Sequence, residues 1–386
     1  MSEARPFDLV LLGATGFTGK LAAAYLARRR TGLRWALAGR SRARLEAVRQ
    51  TLEPDPSGAR PELLEADTTD LASMDRLARS ARVVLTTAGP YIEHGEPVAA
   101  ACVRAGTHYV DITGEPAYLR LLVDRYDAPA RQRGVLLLPC CGFDSIPADL
   151  GTLFVVQRLP RGEPCQLRCY VRARGRFSGG TWASALRILG EWTPRSILRP
   201  SGASTGASTG LRGLHFAAEV EDWVLPMPVI DPLIVRRSAE LVGYGPGFRY
   251  AQYLQAGSLL RAAGLVLGAS TLLLLARSAR LRQALERFQP RGTGPDEAVR
   301  QRSSFRLTLV GTAGGTCVVA RVQGGDPGYD ETAKMCVESA LLLAEQAEQT
   351  LPGGVVTPAA ALGERLIRRL QEAGLRFEQV QAPTGP

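Results

Sequence analysis

With 386 residues, 45% of them hydrophobic, the chain can bury a sizeable core and is longer than most single domains, so two domains are the default expectation. Its formal charge of +10 would ordinarily raise nucleic acid as a partner. However, only Lys20 and Lys334 are lysines among 47 basic residues, and such an arginine bias beside abundant Ala, Gly and Leu reads as codon pressure. Nucleic acid is therefore set aside.

The first half alternates short apolar runs with amphipathic helical patterns, the mark of a parallel sheet covered on both faces. Strands are expected over 8–13, 34–39, 62–66, 83–88, 108–111 and 135–139, with helices over 17–30, 41–53, 70–80, 95–106 and 116–133. This is an α/β, doubly wound Rossmann-type domain over 1–150. After Gly142 the alternation stops. Strand-like runs over 166–173, 215–220, 305–312 and on to 322 mix with longer helices, predicting a second, α+β domain over 151–325. The small-residue segment 201–210 has no apolar anchor and reads as a loop. Asp326-Pro327-Gly328 introduces a striped helix over 332–349, and a second follows near 357–373. The last segment, 326–386, is drawn as helical.

Between the first strand and first helix runs Gly13-Ala14-Thr15-Gly16-Phe17-Thr18-Gly19. Dinucleotide phosphates need backbone N–H donors at close range, and the glycines clear that approach while the helix start offers its positive end. Where an NAD-binding chain places an acid after its second strand, this one reads Gly39-Arg40-Ser41. With no carboxylate to repel it, a ribose 2′-phosphate is favoured there, so the expected cofactor is NADP(H). Asp67, after the third strand, is read as an adenine contact or a helix cap. Thr87, Ala88, Gly89 and Pro90 are small residues at a strand end that let the cofactor pass.

Three polar clusters stand where a nicotinamide would be reached: Tyr91 to His94, Asp111 to Glu115, and Cys141 to Ser145. Tyr91 and His94 are candidate proton donors and equally wall or cap residues. Asp111 and Glu115 orient substrate or cap the helix after Gly114. Asp144 is a candidate at the domain crossover and also reads as a helix cap. The seven cysteines are scattered without a CxxC pair and read as buried thiols of a reducing cytosol, and no metal site is expected. The first residues hold no signal-type apolar run, so a cytoplasmic protein is expected. The apolar stretch 262–276, bounded by Arg261 and Arg277, is short for a bilayer span. It reads as a buried core helix, with a lipid-facing or substrate-facing helix as the alternative and peripheral membrane contact as its consequence.

The motifs GATGFTG, AGRS, TTAGPYIEHGEPVAAAC, THYVDITGE and CCGFDSIPADLG, together with Ser178-Gly179-Gly180-Thr181 and the run from Gly328 to Lys334, resemble those of the saccharopine dehydrogenase-like oxidoreductases, in particular the trans-acting enoyl reductase branch. The resemblance implies that Gly13, Thr15, Gly16, Phe17 and Thr18 cradle phosphate and that Arg40 and Ser41 meet the adenosine end. It also implies that the domain over 151–325 takes substrate and mediates a homodimer, and that the segment 326–386 packs back on the first domain. The activity it implies is NADPH-dependent reduction of a C=C bond on a small-molecule or carrier-bound acyl chain. A saccharopine reductase-like reaction, with Arg172, Arg174, Arg176 or Arg195 meeting substrate carboxylates, stays open. So does a non-catalytic, lipid-associated NADP(H)-binding protein.

Overall fold

The computed structural model describes residues 5–54, 60–175, 213–227, 229–276, 278, 294–345 and 353–381. The expected loop 201–210, the motif at 178–181, Arg176, Arg195, Arg277 and the end of the expected 332–349 helix lie outside them. The chain divides into two units, Met1–Ile146 with Tyr329–Ala373, and Pro147–Gly328 with Gly374–Pro386.

The first unit alternates β1 (Phe7–Leu12), α1 (Phe17–Arg29), β2 (Trp35–Gly39), α2 (Arg42–Thr51), β3 (Glu62–Glu65), α3 (Leu71–Ser80), β4 (Ala81–Thr86), α4 (Tyr91–Ala105), β5 (His108–Asp111), α5 (Pro116–Gln132) and β6 (Leu136–Leu138). All six strands pair in parallel, in the spatial order β6-β5-β4-β1-β2-β3. Leu9, Val10 and Leu11 of β1 are each 0% exposed, so the central strand is apolar on both faces rather than alternating. Boundaries fall within a few residues of those expected. The largest difference is α4, which starts four residues before the expected position because its first turn is capped from outside the helix, as described below.

In the second unit, α6 (Ile146–Val156) leads into β7 (Gln166–Arg174), β8 (His215–Ala217), β9 (Asp222–Pro226), α7 (Asp231–Val242), β10 (Arg249–Gln255), α8 (Leu259–Ala276), α9 (Glu297–Arg302), β11 (Ser304–Ala313) and β12 (Thr316–Gly324). The sheet order is β12-β11-β7-β10-β9-β8, antiparallel except for the β7–β10 pair. Helix α6 lies against this sheet at Gly311, where a Cβ would stand 2.4 Å from Val155. The core-helix reading of 262–276 is overturned. Among the described side chains of α8 only Ala262 is fully buried, while Leu260, Leu267 and Leu274 are 83%, 70% and 64% exposed. Among the described residues, no helix is long and apolar enough to cross a membrane.

The chain then returns to the first unit with α10 (Asp330–Glu345), β13 (Gly354–Val355), α11 (Pro358–Ala361) and α12 (Gly363–Glu372). Strand β13 adds a seventh parallel strand beside β6. Helix α10 is buried from Glu331 to Ala344 except at Lys334, and it carries the fully buried carboxylate Glu338. That charge is held by Arg29 and Arg369, each at 2.7 Å, and by the Tyr25 hydroxyl at 2.5 Å, so it knits α1, α10 and α12 together. The final strand, β14 (Arg376–Val380), pairs with β12 in the second unit. The segment 326–386 is thus not one helical piece but is shared between the two sheets. Two-residue β13 and half-exposed β14 carry too little apolar periodicity to be recognised alone.

Candidate functional site

The loop after β1 is bare for three different reasons. Gly13 has φ +84°, a left-handed conformation, and a Cβ there would come within 2.9 Å of Ala88 N and Thr87 Oγ1. Its N–H donates to Ala38 O at 3.0 Å, and Thr87 Oγ1 donates back to Gly13 O at 3.2 Å. At Gly19 a Cβ would lie 2.2 Å from Gly13 O, so only glycine lets α1 pack against the loop that precedes it. Gly16 differs. It is exposed, and the nearest protein atom to a Cβ would be Gly13 O at 3.3 Å, so the chain itself leaves room there. Gly16 is also the N-cap of α1, which has no side-chain cap and no acid in its first turn. An open, uncapped helix start under a glycine fits a pyrophosphate. Ala14 is fully buried, so only its backbone faces the loop, while Thr15, Phe17 and Thr18 are partly exposed around it.

Arg40 follows β2, is exposed, and makes no ion pair among the described residues. Ser41 caps α2 by accepting from Arg44 N at 3.4 Å, which leaves its hydroxyl hydrogen available. The expected adenine contact or cap at Asp67 resolves differently. Asp70, not Asp67, caps α3, while Asp67 Oδ1 accepts from Thr69 N and Thr69 Oγ1 at 3.0 and 2.9 Å. Those bonds, with the nearby Arg40 and His94 charges, hold its carboxyl below the usual range. Thr87 to Pro90 form the turn after β4, with Ala88 N donating to Thr86 Oγ1 at 3.2 Å.

Tyr91 and His94 both have their polar atoms engaged by protein. The Tyr91 ring is buried against Tyr118, and its hydroxyl donates to Thr86 O at 3.0 Å, so its proton is already committed; burial holds the phenol far from ionisation. His94 Nδ1 meets Thr68 Oγ1 at 3.2 Å and its Nε2 faces Glu93, which ties the ring to the loop after β3. Glu115, expected to orient substrate or cap the helix after Gly114, caps α4 instead. Its two oxygens accept from Tyr91 N and Ile92 N at 2.9 and 3.0 Å, explaining the early start of that helix.

Asp111 is a buried scaffold. Its carboxylate accepts from Tyr109 Oη at 2.7 Å, Thr113 N at 2.8 Å and Cys140 N at 2.9 Å. Because the Tyr109 hydrogen is spent on Asp111, the 3.0 Å contact between the two phenols has Tyr118 donating. Burial outweighs these bonds and pushes the Asp111 carboxyl up to about 6. Asp111 O also accepts from Cys141 N at 2.7 Å, and Thr332 Oγ1, from α10, accepts from Phe143 N at 3.1 Å. The loop after β6 is therefore held at Cys140, Cys141 and Phe143, immediately ahead of Asp144. A Cβ on Gly114 would stand 2.7 Å from Asp144 Oδ2, so that glycine makes the space the carboxylate occupies. Asp144 is open to solvent on one side and crowded by protein on the others. Among the described residues nothing donates to its carboxylate, and desolvation raises it above the ordinary carboxylate range. It is not a helix cap.

Two contributors escaped the reading of local motifs: Thr332, and Tyr329, whose ring meets Phe17 edge-on at 4.9 Å. Both lie about half a chain or more from their partners in sequence, and only the family-like run from Gly328 to Lys334 hinted at them.

Residues 9–138 match the model of the saccharopine dehydrogenase NADP binding domain. A Mycobacterium tuberculosis protein provisionally named a trans-acting enoyl reductase is 38% identical, over 97% of this chain and 97% of its own. The trans-acting enoyl reductase of Mycobacterium ulcerans is 35% identical over 97% and 98%. Among solved structures, apo saccharopine dehydrogenase (L-Glu forming) from Saccharomyces cerevisiae superposes with a TM-score of 0.54 at 13% identity, over 97% of this chain and 99% of that one, a likeness of fold. This chain is an NADP(H)-dependent oxidoreductase that belongs to the saccharopine dehydrogenase-like family, in the branch of the trans-acting enoyl reductases.

Proposed function

We propose that the chain reduces the C=C bond of an enoyl thioester in lipid or polyketide assembly, acting on a carrier-bound chain as a cytoplasmic homodimer, with Asp144 as the proton donor. The observation that carries the chemical part is Asp144 itself: a carboxyl that is open, without a donor among the described residues, and held toward its protonated form at the carboxyl end of the sheet. Ligands of such sheets lie beyond those strand ends. The relatives named trans-acting enoyl reductase, similar over nearly the whole chain, support the choice of substrate class. NADPH, held by the loop from Gly13 to Gly19 with Arg40 and Ser41, would supply a hydride for the β-carbon. Asp144 gives its proton to the α-carbon and is reprotonated from solvent, so the double bond becomes a single bond with one hydride and one proton added. Asp111, Gly114 and Thr332 fix where that carboxyl sits.

The purified chain is expected to oxidise NADPH with a crotonyl thioester and not with a semialdehyde plus an amino acid. The opposite pattern would transfer the site to C–N bond formation, and inactivity with both would leave a binding protein. We assign Gly13, Ala14, Thr15, Gly16, Phe17, Thr18 and Gly19 to the phosphates and Arg40 with Ser41 to the ribose 2′-phosphate. A charge-assisted bond to phosphate contributes about 1.5–3 kcal/mol, so Arg40→Ala should weaken NADPH binding by roughly 10- to 100-fold and leave NADH almost unchanged in a fluorescence titration. Equal losses for both cofactors would remove Arg40 from the 2′-phosphate.

A further inference from the structure

The start of helix α10 touches both the loop that follows β1 and the loop that carries Asp144. Tyr329 O accepts from Ala333 N at 2.7 Å, so the helix begins from Tyr329, and that ring, 1% exposed, meets Phe17 edge-on. Phe17 is the first residue of α1 and follows directly on Gly16, the open glycine of the phosphate loop. Thr332, one turn on from Tyr329, reaches the other loop in two ways. Its Oγ1 accepts from Phe143 N at 3.1 Å, and its methyl fills the space beside Gly142, where a Cβ would stand 3.1 Å from it. Gly142 O in turn accepts from Ser145 N and Ile146 N at 3.2 and 2.9 Å, which closes the turn carrying Asp144. Further along α10, Glu338 is held by Tyr25 and Arg29 of α1, so the two helices are tied at both ends.

We infer that Tyr329 and Thr332 are positioning residues that couple the two loops, so that a dinucleotide seated at the glycine loop orders the turn that carries Asp144. The start of α1 is the loose end of this chain of contacts, because Gly16 gives it no side-chain cap and its first turn holds no acid. A helix end without acceptors opens readily, and a phosphate that supplies them holds it closed. Phe17 is then fixed, and with it Tyr329, the start of α10 and the Thr332 oxygen that receives the Phe143 N–H. Chains of packed side chains and hydrogen bonds are what carries coupling between separate sites. The route runs wholly within the first unit. Its catalytic consequence, an acid fully placed only in the cofactor-bound chain, rests on the reading of Asp144 as proton donor; the coupling itself does not.

Amide hydrogen exchange of the full chain, read by mass spectrometry with and without saturating NADPH, tests this. In wild type, NADPH should slow exchange in the glycine loop and also over 141–145, there by at least about fivefold, the low end of the range for coupled sites. Tyr329→Leu keeps an apolar side chain at a buried position but loses the ring, and Thr332→Val keeps the shape but loses the acceptor. In both, nicotinamide fluorescence should still report bound NADPH and the glycine loop should still be protected, while the protection gained over 141–145 falls below about twofold. Thr332→Ser, which keeps the acceptor, should restore it. Residues that merely supported the fold would alter exchange equally with and without the cofactor. No NADPH-dependent protection over 141–145 in wild type, or its persistence in both Tyr329→Leu and Thr332→Val, would overturn the inference. Cofactor-dependent protection in a wild type that leaves a crotonyl thioester unreduced would uphold the coupling and sink only the reaction proposed above.

Discussion

Gly19→Ala is expected to yield a chain that melts well below wild type and no longer binds NADPH. The added Cβ would stand 2.2 Å from Gly13 O and 2.9 Å from Ala14 Cα, and both are backbone atoms. Neither can retreat. Gly13 is fixed by its bond to Ala38 O, by its left-handed φ and by Thr87, and Ala14 is buried against the sheet. Helix α1 must therefore move off the loop. Overpacking costs about 1–3 kcal/mol where side chains can adjust and more where backbone must. The loop is also the cofactor cradle, so affinity is lost with the packing. Gly16→Ala separates the two effects. Its Cβ would meet only Gly13 O, at 3.3 Å, a tight contact but far milder than the 2.2 Å overlap at Gly19, so the melting temperature should fall much less than in Gly19→Ala. The methyl would occupy the space above the uncapped helix start, and NADPH affinity should fall by at least about tenfold, as expected when a close backbone approach to phosphate is blocked. Thermal melts and nicotinamide fluorescence read the two variants, and unchanged NADPH affinity in Gly16→Ala would remove the loop from the phosphate.

The ladder of parallel strands was legible in the sequence because each strand is a short apolar run bounded by turn chemistry, and the glycine loop because a strand precedes it and a helix follows. Roles of individual polar side chains were not. Glu115 stands immediately before α5 and looks like its cap, yet it caps α4 because the two helix starts are neighbours beyond the carboxyl ends of the adjacent strands β4 and β5, a relation of space rather than sequence. Tyr91 looks like a proton donor by residue type; only the position of Thr86 O shows that its hydrogen is committed. Asp144 reads as a helix cap because Ile146-Pro147 follows it, and in the structure its carboxylate accepts no hydrogen bond from the described residues. Helix α8 misled in the opposite direction. Unbroken apolar composition marks a core helix, a lipid-facing helix or an interface alike, and exposure alone separates them.

Asp144→Asn is expected to lower kcat by roughly a hundredfold to ten-thousandfold, the range over which a positioned general acid contributes, while NADPH affinity stays at its wild-type value. The amide keeps the size of the side chain and the fit beside Gly114, but it has no acidic proton to give. The pH dependence is the sharper readout. Desolvation raises the Asp144 carboxyl, so the protonated form persists to higher pH than for an ordinary aspartate, and kcat should fall as pH rises through that elevated pKa. In the variant this limb should vanish, leaving a low and flatter profile. Stability should move the other way. A carboxyl whose folded pKa is raised contributes stability that is fully present below its unfolded pKa and lost as pH climbs through the folded one. Removing the ionisable group lifts that penalty, so Asp144→Asn should melt no lower than wild type at neutral pH, and higher if anything. A merely structural aspartate would give the reverse pair of results, a lower melting temperature with the pH limb intact. Low activity, unchanged cofactor affinity, an absent pH limb and an undiminished melting temperature together are the signature of a residue placed for proton transfer at the expense of the fold.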